Sequence, residues 1–449
     1  MPVSVPTTDE FNALSQRVST LESAPAPTPA PASDPEPSPD PITVIEHPYV
    51  AFQKDNTQAA LKAAVDEVVN SRTGGIARKV VRMQPGTTTV TTPDLLGSPT
   101  TGSSSQIFGF EIEGIGERMS TLAFNPSGGA TDDPRQLNLF TLANRVRDFK
   151  MRNMQVTTNN PNASMLWAWS NTKVDSNSVY PEYGVGQNQR FIFENVEWGG
   201  TWKRVIGIDG DVNTNNNSEW YFRLCNTNTT TRFNEAFLQS GGINGRNFPQ
   251  MAQYLNFFVR DCNFTFNGGT LFRMVKGGNV HVTGGSMSAA TKDNAIIWFD
   301  LQGAGSDSAA SYTFDGTRFE PKAANQLIIK NAVGAGQTTF RNVIDVSSLQ
   351  YAPGSAQSQF KLHQYIARNG RFPTITYEGC ILAGSHLYTG GNTGALGKAI
   401  YRGNKFFQWT SNNAVASAAS ATDGFLQWTG GRPRHRFEDN EGQADINQN

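Results

Sequence analysis

A short pattern of apolar and turn-forming residues recurs from near residue 110 to the end of the chain, and it constrains the fold more than any other feature. Its clearest copy is Phe257 to Phe264, with apolar residues at the first, third and eighth positions and a small or apolar sixth residue. Alternation with a period of two, followed by a turn residue, is typical of a strand that bends into the next strand. Asn, Asp and Gly suit the fifth position because they tolerate left-handed backbone angles. The fifth positions are Gly114, Asn153, Asn195, Asp261, Gly284, Gly316, Gly379, Gly403 and Asp439.

The spacing of these copies indicates a solenoid. Asp261 and Gly284 are 23 residues apart, while Gly114 and Asn153 are 39 apart, close to two repeats. A period in the twenties with strands and without helices is typical of stacked coils. Because one coil cannot bury its own apolar face, neighbouring coils must build a continuous core.

Composition excludes several classes of function. Only 17% of the residues are charged and the net charge is -1, which gives no electrostatic reason to expect nucleic-acid binding. No apolar run approaches the roughly 20 residues that span a bilayer, and no basic-then-apolar leader is present, so we expect no membrane insertion. Cys225, Cys262 and Cys380 are too scattered for a disulfide framework or a zinc site. We therefore predict buried cysteines, no metal and no cofactor.

The first 44 residues differ from the rest of the chain. Residues 1–23 contain Phe11, Leu14, Val18 and Leu21 at the 3-4-3 spacing of a coiled-coil seam, which predicts an oligomerisation and docking peptide. Residues 24–44 have proline at nearly every second position over much of their length, which predicts an extended linker. Beyond residue 50, Lys and Arg number 36 against 31 Asp and Glu, a weak indication of an anionic ligand.

The remaining chain divides into three predicted parts. Residues 45–100 form an N-terminal cap with an amphipathic helix over 57–70, which would cover the open end of the solenoid. Residues 101–442 form the coiled body, and 443–449 a polar tail. The helix has capping residues at its start and Gly74-Gly75 beyond its end.

One series of residues carries a resemblance to a known family. It comprises Asp55-Asn56-Thr57 with an Ala-rich helix, Gly74-Gly75, Pro85-Gly86, Gly114-Ile115-Gly116 and Thr121-Leu122. The series resembles the opening of pectate-lyase-like right-handed, single-stranded parallel β-helices, and with the coiled-coil leader the chain resembles bacteriophage tailspikes and receptor-binding tail proteins. The resemblance implies an all-β fold and a homotrimer attached to a virion tail or baseplate protein through residues 1–23. It also implies binding to a host cell-surface glycan, with synthesis in the host cytoplasm.

Tryptophans and amides cluster between residues 160 and 235. Trp167, Trp169, Trp202 and Trp220 lie among many asparagines, and indole faces can cover sugar rings while amides bond hydroxyls. We therefore predict that these four rings face outward and bind carbohydrate, together with Asp209 and Asp211. The same two aspartates begin an Asp-x-Asp-x-Asn run, but the next residue is not the glycine of a calcium loop, so a polar loop fits better.

Catalytic residues are not assigned by the sequence. Glu194, Glu197, Asp209, Asp211 and Glu219 are carboxylates near aromatic residues, but separation across coils cannot be read from spacing. The five histidines show no partner spacing. We therefore favour a non-enzymatic receptor-binding spike, with a polysaccharide depolymerase, hydrolase or lyase, and a purely structural trimeric fibre or decoration as the alternatives. Two segments that interrupt the repeat, 347–364 and 408–432, are further candidates for recognition loops.

Overall fold

The computed structural model describes residues 50–70, 80–97, 107–143, 146–170, 174–176, 178–186, 188–210, 218–243, 255–275, 278–302, 310–345, 360–391, 396–406 and 425–440. The chain divides into two compact units, Met1–Glu46 and His47–Asn449, and every described residue belongs to the second. The predicted coiled-coil residues Phe11, Leu14, Val18 and Leu21 therefore lie outside the described residues, as do the linker and the polar tail. These segment boundaries stay predictions.

Strands make up most of the described chain. The first ten are β1 Val50–Phe52, β2 Val80–Arg82, β3 Gly86–Val90, β4 Ile107–Phe108, β5 Glu111–Glu113, β6 Ser120–Phe124, β7 Asn138–Ala143, β8 Val146–Thr158, β9 Ser164–Ser170 and β10 Gln189–Gly210. The next eleven are β11 Ser218–Arg223, β12 Asn226–Thr227, β13 Arg232–Ser240, β14 Asn256–Arg260, β15 Asn263–Phe266, β16 Gly269–Met274, β17 Asn279–Thr283, β18 Ser286–Ala289, β19 Ile296–Leu301, β20 Ser311–Asp315 and β21 Arg318–Glu320. The last ten are β22 Gln326–Asn331, β23 Gln337–Arg341, β24 His363–Ile366, β25 Arg371–Glu378, β26 Ile381–Leu382, β27 His386–Gly391, β28 Leu396–Arg402, β29 Lys405–Phe406, β30 Leu426–Gly430 and β31 Arg434–Glu438. The helices are α1 Gln58–Asn70 and a 3₁₀ turn, Pro181–Tyr183.

The strands stack as coils of a parallel β-helix. Through the centre of the body each strand pairs in parallel with the strand three places further along the chain, as β14 with β17 and β17 with β20. The same holds for β15 with β18 and for β16 with β19. One coil therefore contributes three strands to three parallel stacks. The predicted all-β parallel solenoid is confirmed.

Apolar side chains of successive coils lie directly above one another inside the stack. Phe314, Phe340, Tyr377, Tyr401 and Phe437 occupy one inward row, and neighbouring rings in it are 4.6 to 5.0 Å apart and within 14° of parallel. That spacing matches the distance of about 4.8 Å between paired strands. The register of the ladder thus places like side chains in contact and forms one continuous core.

Eight of the nine fifth positions of the repeat adopt the backbone angles that the sequence predicts, and Gly114, which has no positive φ, is the exception. Asn153, Asn195, Asp261 and Asp439 have φ between 51° and 54°, and the glycines 284, 316, 379 and 403 have φ between 59° and 65°. Asn195 Nδ2 donates to Asn153 Oδ1 of the preceding coil at 3.1 Å. The structure also shows a copy that the sequence analysis missed, in which Leu224 holds this position with φ of 52°. Its turn residue is neither Asn, Asp nor Gly, which is why the pattern did not reveal it.

Helix α1 packs on the first coils. Its buried residues Leu61, Ala64, Val65 and Val68 join the main core, and the helix contacts β1, β2 and β3. Thr57 is the N-cap, because its Oγ1 accepts from the backbone N–H of Ala60 at 3.1 Å. The helix therefore covers apolar surface at the N-terminal end of the described β-helix.

The cysteines occupy the sixth position of the repeat. Cys225, Cys262 and Cys380 are all free and buried, as predicted. Among the described residues, no helix is long and apolar enough to cross a membrane.

Candidate functional site

Two of the predicted binding tryptophans lie inside the coil. Trp202 and Trp220 are fully buried in the main core, and Trp220 stacks on Phe191 at 3.7 Å between ring centroids. The prediction that these rings face outward is wrong. Trp220 shares its inward orientation with Phe222, two residues further along the same strand.

The other two predicted tryptophans lie outside the main core but are covered by the chain itself. Trp167 and Trp169 belong to a separate small cluster with Tyr180, whose ring is 4.8 Å from Trp169 and 5.6 Å from Trp167. The outward-facing prediction is therefore wrong for these rings as well, since both are at most 1% exposed. Carbohydrate binding by the four tryptophans stays a prediction, with no ring face open to solvent in this conformation.

The two predicted aspartates have different outcomes. Asp209 is buried near the end of β10, and its Oδ1 accepts from the backbone N–H of Gly210 at 3.0 Å. Asp211 lies outside the described residues. A buried Asp209 does not offer a carboxylate to a glycan on the surface.

A partly exposed aromatic strip crosses three successive coils on the outer face of the β-helix. The register pairs Ile192 with Tyr221, Tyr221 with Phe258, and Phe258 with His281. The ring centroids of Tyr221 and Phe258 are 5.0 Å apart and those of Phe258 and His281 are 5.3 Å apart, with interplanar angles of 14° and 13°. At these distances the rings are offset, so part of each face stays uncovered. Tyr221 is 36% exposed.

A neighbouring outward row carries charged residues that mostly alternate in sign. In order of coils its members are Arg82, Glu113, Arg152, Glu194, Arg223, Arg260, Thr283, Asp315, Arg341, Glu378, Arg402 and Glu438. Opposite charges pair along it, as Arg402 Nε does with Glu438 Oε2 at 2.7 Å. Such pairs on a solvated surface contribute about 0.2–1 kcal/mol each.

The alternation fails beside the aromatic strip. Arg223 pairs with Glu194 on one side at 3.1 Å, but its neighbour on the other side is Arg260, which is followed by the uncharged Thr283. The side chain of Arg260 is 71% exposed, and the one carboxylate that it contacts among the described residues is that of Asp261, outside the row, at 3.4 Å. The row therefore places two like charges together where every other described neighbour pair avoids doing so.

The strip and the charged row form one groove, which we call the aromatic groove. It has a volume of about 500 Å³. Its lining combines the strip with charged and polar residues, namely Ile192, Tyr221, Phe258 and His281 with Arg190, Glu194, Arg223, Arg260 and Thr283. Burial lowers the pKa of His281, so its ring is neutral near pH 7. The groove thus presents three guanidinium groups and one carboxylate around an apolar floor.

A pair of carboxyl groups lies in another of the three stacks of strands. Glu197 is buried and accepts hydrogen bonds from Arg118 Nε at 2.8 Å, Gln155 Nε2 at 2.7 Å and Asn228 Nδ2 at 3.2 Å. Burial acts to raise the pKa of Glu197, but the hydrogen bonds from Arg118 and its other partners outweigh it and lower that pKa. Glu117 shares a hydrogen bond with Glu197 and has a raised pKa, through burial and then through that bond. Glu117 therefore holds a proton more tightly than an ordinary glutamate.

This carboxyl pair does not have the separation that glycoside hydrolysis requires. Retaining enzymes place their two carboxyl groups roughly 5–5.5 Å apart and inverting enzymes roughly 6.5–9.5 Å apart, to leave room for the sugar or for water. Glu117 and Glu197 instead share a proton-binding interaction that raises the pKa of the first and lowers the pKa of the second. The arrangement fits a shared proton at a structural corner better than an acid and a nucleophile on either side of a glycosidic bond.

The structure brings together two histidines for which no partner was predicted. His363 and His386 lie on neighbouring coils with ring centroids 4.4 Å apart, and both are fully buried. Asp345 is the third member of this cluster. The signal was present in the sequence, because 23 residues separate the two histidines, as many as separate Asp261 from Gly284.

The two segments proposed as recognition loops are only partly described. His363–Ile366 forms β24 and Leu426–Gly430 forms β30, so the ends of both segments belong to the ladder. Residues 346–359 and 407–424 lie outside the described residues.

Comparison with known proteins gives similarity to solved structures alone: no family model and no curated protein matches the chain. A GH87 α-1,3-glucanase catalytic unit from Streptomyces thermodiastaticus is 14% identical with a TM-score of 0.42, over 86% of this chain and 66% of the other. The A-module of the Azotobacter vinelandii mannuronan C-5 epimerase AlgE6 is 12% identical with a TM-score of 0.33, over 86% of this chain and 95% of the other. Tailspike protein 3 of bacteriophage CBA120 is 11% identical with a TM-score of 0.31, over 86% of this chain and 59% of the other. The chain thus spans just under two thirds of the glucanase unit, and at these values the likeness does not extend to function.

Proposed function

We propose that this protein binds a bacterial surface polysaccharide carrying acidic groups, and that it does so in the aromatic groove. The observation that carries the proposal is the partly exposed stack of Tyr221, Phe258 and His281 on the outer face. Scattered apolar residues on a surface need no explanation, but three aligned rings in a groove with charged walls are typical of a recognition site.

The dimensions of the strip suit an extended chain of sugars. Parallel strands lie about 4.8 Å apart, so the three rings offer apolar surface over about 10 Å along the stack. Sugar rings have apolar faces that pack on aromatic side chains, and their hydroxyl groups accept and donate hydrogen bonds at the rim. Arg190, Arg223 and Glu194 supply such groups beside the strip.

The arginines favour a ligand with negative charge. Guanidinium groups pair with carboxylates and phosphates through two parallel hydrogen bonds. At Arg260 the row offers no carboxylate from a neighbouring strand. An acidic group of the ligand would pair with Arg260 in place of that missing carboxylate. A purely structural surface would favour an acid at this position, as in the coils further along.

The proposal includes a place for the protein in a virion. Residues 1–23 would join three copies and dock them on a tail or baseplate protein, and residues 24–44 would act as the spacer. The support for this is the heptad spacing of Phe11, Leu14, Val18 and Leu21 and the proline-rich segment that follows.

Binding measurements with purified capsule or lipopolysaccharide test the groove. The double variant Tyr221→Ala, Phe258→Ala should bind about 10- to 100-fold more weakly, because two aromatic anchors are lost. Thr313→Ala is the matched control, since Thr313 continues the same outward row on the coil after His281 but does not line the groove. Unchanged affinity in the double variant, with the control also unchanged, would refute the assignment.

Measurements on the same protein samples distinguish binding of the polysaccharide from its cleavage, and a binding site from a contact between subunits. New reducing ends or unsaturated products during incubation would show a depolymerase instead of a non-enzymatic receptor. A double variant that loses its oligomeric state, measured by light scattering, would show that the strip is an interface between copies. Retained oligomeric state together with weaker glycan binding is the outcome that we expect.

A further inference from the structure

The core of the β-helix changes character near its C-terminal end. One inward row runs through Phe299, Ile329, His363, His386 and Leu426 on successive coils. Two histidines therefore replace apolar residues in adjacent coils of an otherwise apolar row. Burying polar groups costs free energy unless each group finds a partner, so such a replacement calls for a specific reason.

Among the described residues, each polar side-chain atom of Asp345, His363 and His386 except one has a hydrogen-bond partner. His363 Nε2 lies 3.1 Å from Asp345 Oδ2, and the other oxygen of Asp345 accepts from the backbone N–H of Ala383 at 2.5 Å. The Nδ1 atoms of the two histidines are bonded to tyrosine hydroxyls, His363 to Tyr377 at 2.9 Å and His386 to Tyr401 at 2.8 Å. His386 Nε2 is buried without a hydrogen-bond partner.

From this arrangement we propose that Asp345, His363 and His386 form a buried site for a divalent transition-metal ion such as Zn²⁺. One ligand atom from each of the three residues lies within 4.8 Å of the other two. In a tetrahedral zinc site with bonds of about 2.0–2.1 Å, ligand atoms lie about 3.3 Å apart. The observed 3.1 Å between His363 Nε2 and Asp345 Oδ2 is already close to that value.

The neighbouring groups have the arrangement that metal sites require. A metal-bound histidine generally makes a hydrogen bond through its second ring nitrogen, which fixes the orientation of the ring. Both histidines do so here, through Nδ1 and a tyrosine hydroxyl, which leaves both Nε2 atoms for the ion. Two imidazoles and one carboxylate are a donor set that binds zinc and neighbouring transition metals in preference to calcium or magnesium.

Burial determines how the ion would enter. Asp345, His363 and His386 are each 0% exposed, so the described coils, once stacked, leave an ion no open path to the site. It would be taken up as residues 345 to 391 fold, and its binding free energy would add to the stability of these coils. The role is structural: the ion would join Asp345 and β24, which belong to one coil, to β27 of the next coil.

Metal analysis of the full chain tests this site. Protein folded with Zn²⁺ and then treated with a chelator should retain one zinc ion per chain and release it only on unfolding, measured by mass spectrometry of the metal. Folding with Co²⁺ should give the visible absorption bands of a tetrahedral nitrogen and oxygen site. Less than about one fifth of an ion per chain, with zinc and with cobalt alike, would overturn the proposal.

Two variants locate the ion. His386→Leu introduces the residue that the next coil carries at this row position, Leu426, and should abolish retention of zinc. His281→Leu removes a histidine outside the site and should retain it fully. Retention of zinc by the His386→Leu chain would place the ion elsewhere and overturn the assignment. Should that variant fail to fold, the metal content and cobalt spectrum of the unaltered chain still decide the question.

Discussion

Trp220 and Tyr221 are adjacent in the sequence but lie on opposite faces of β11, and exchanging each for alanine should have opposite consequences. Trp220 is fully buried and stacks on Phe191 at 3.7 Å with an interplanar angle of 3°. Burying about 200 Å² of tryptophan at about 25 cal/mol per Å² corresponds to about 5 kcal/mol. Large-to-small replacements of buried aromatic residues cost about 3–5 kcal/mol. We therefore expect Trp220→Ala to destabilise the protein by about 3–5 kcal/mol.

Urea unfolding followed by far-ultraviolet circular dichroism measures this difference. Tyr221→Ala should change the free energy of unfolding by less than about 1 kcal/mol, because its ring is partly exposed on the surface, and should weaken binding to the polysaccharide. Any loss of binding in Trp220→Ala should follow the fraction of unfolded protein and disappear under conditions in which the variant is folded. A Trp220→Ala chain as stable as the unaltered protein, or one that is fully folded but unable to bind, would refute the orientation of β11.

Three further predictions concern the groove, the carboxyl pair and the turns. Arg260→Asp restores the alternation of charge along the row, so it should change the free energy of unfolding by less than about 1 kcal/mol. It should also weaken binding to an acidic polysaccharide and make that binding less dependent on salt. Equal affinity before and after the change would contradict the groove assignment. The raised pKa of Glu117 contributes stability that is present below the ordinary glutamate pKa and is lost as the pH rises through the folded-state value. Glu117→Gln should therefore be more stable than the unaltered chain above about pH 5. Glu197→Gln should be less stable than the unaltered chain in the same range. Urea titrations at several pH values check both, and a pH-independent difference for Glu117→Gln would count against the shared proton. Gly285→Ala should lower the free energy of unfolding by more than about 2 kcal/mol, because φ is 71° and the new Cβ would lie 2.1 Å from a backbone carbonyl oxygen. Gly403→Ala, at φ of 59° in open space, should lower it by about 1 kcal/mol. Similar thermal stabilities for the two variants would disprove the clash.

The coiled architecture was predictable because it depends on a repeated local pattern. Apolar residues at alternate positions followed by a residue that tolerates positive φ recur at Asn153, Asn195 and Asp261, and each copy belongs to one coil. The 39 residues from Gly114 to Asn153 also span a single coil, not the two repeats that their number suggested. The prediction was incomplete where one element of the pattern was replaced, as at Leu224. There the core and the ladder hold a leucine in a left-handed conformation that a local sequence pattern does not favour.

The orientation of the tryptophans was not predictable in the same way. Residues 164–170 are buried on both faces, so the strand shows no alternation that would separate inward from outward side chains. On β11 the order Trp220, Tyr221, Phe222 places an aromatic residue on each face, and only the register with Phe257 and Phe258 decides which ring is inside. Long-range pairing supplied the information that periodicity lacked.

The aromatic groove and the buried histidine pair were both visible in principle as irregularities in rows. In a β-helix each row position repeats from coil to coil, and the scaffold needs little more from it than an apolar residue inside and a polar or alternating charged residue outside. A row that departs from this pattern over two or three consecutive coils goes beyond what the scaffold requires. Tyr221, Phe258 and His281 do so on the outer face, and His363 and His386 do so in the core. Local departures of this kind, once the repeats have been aligned, are where ligand recognition or metal binding should be sought in such a chain, because the fold itself supplies no other reason for them.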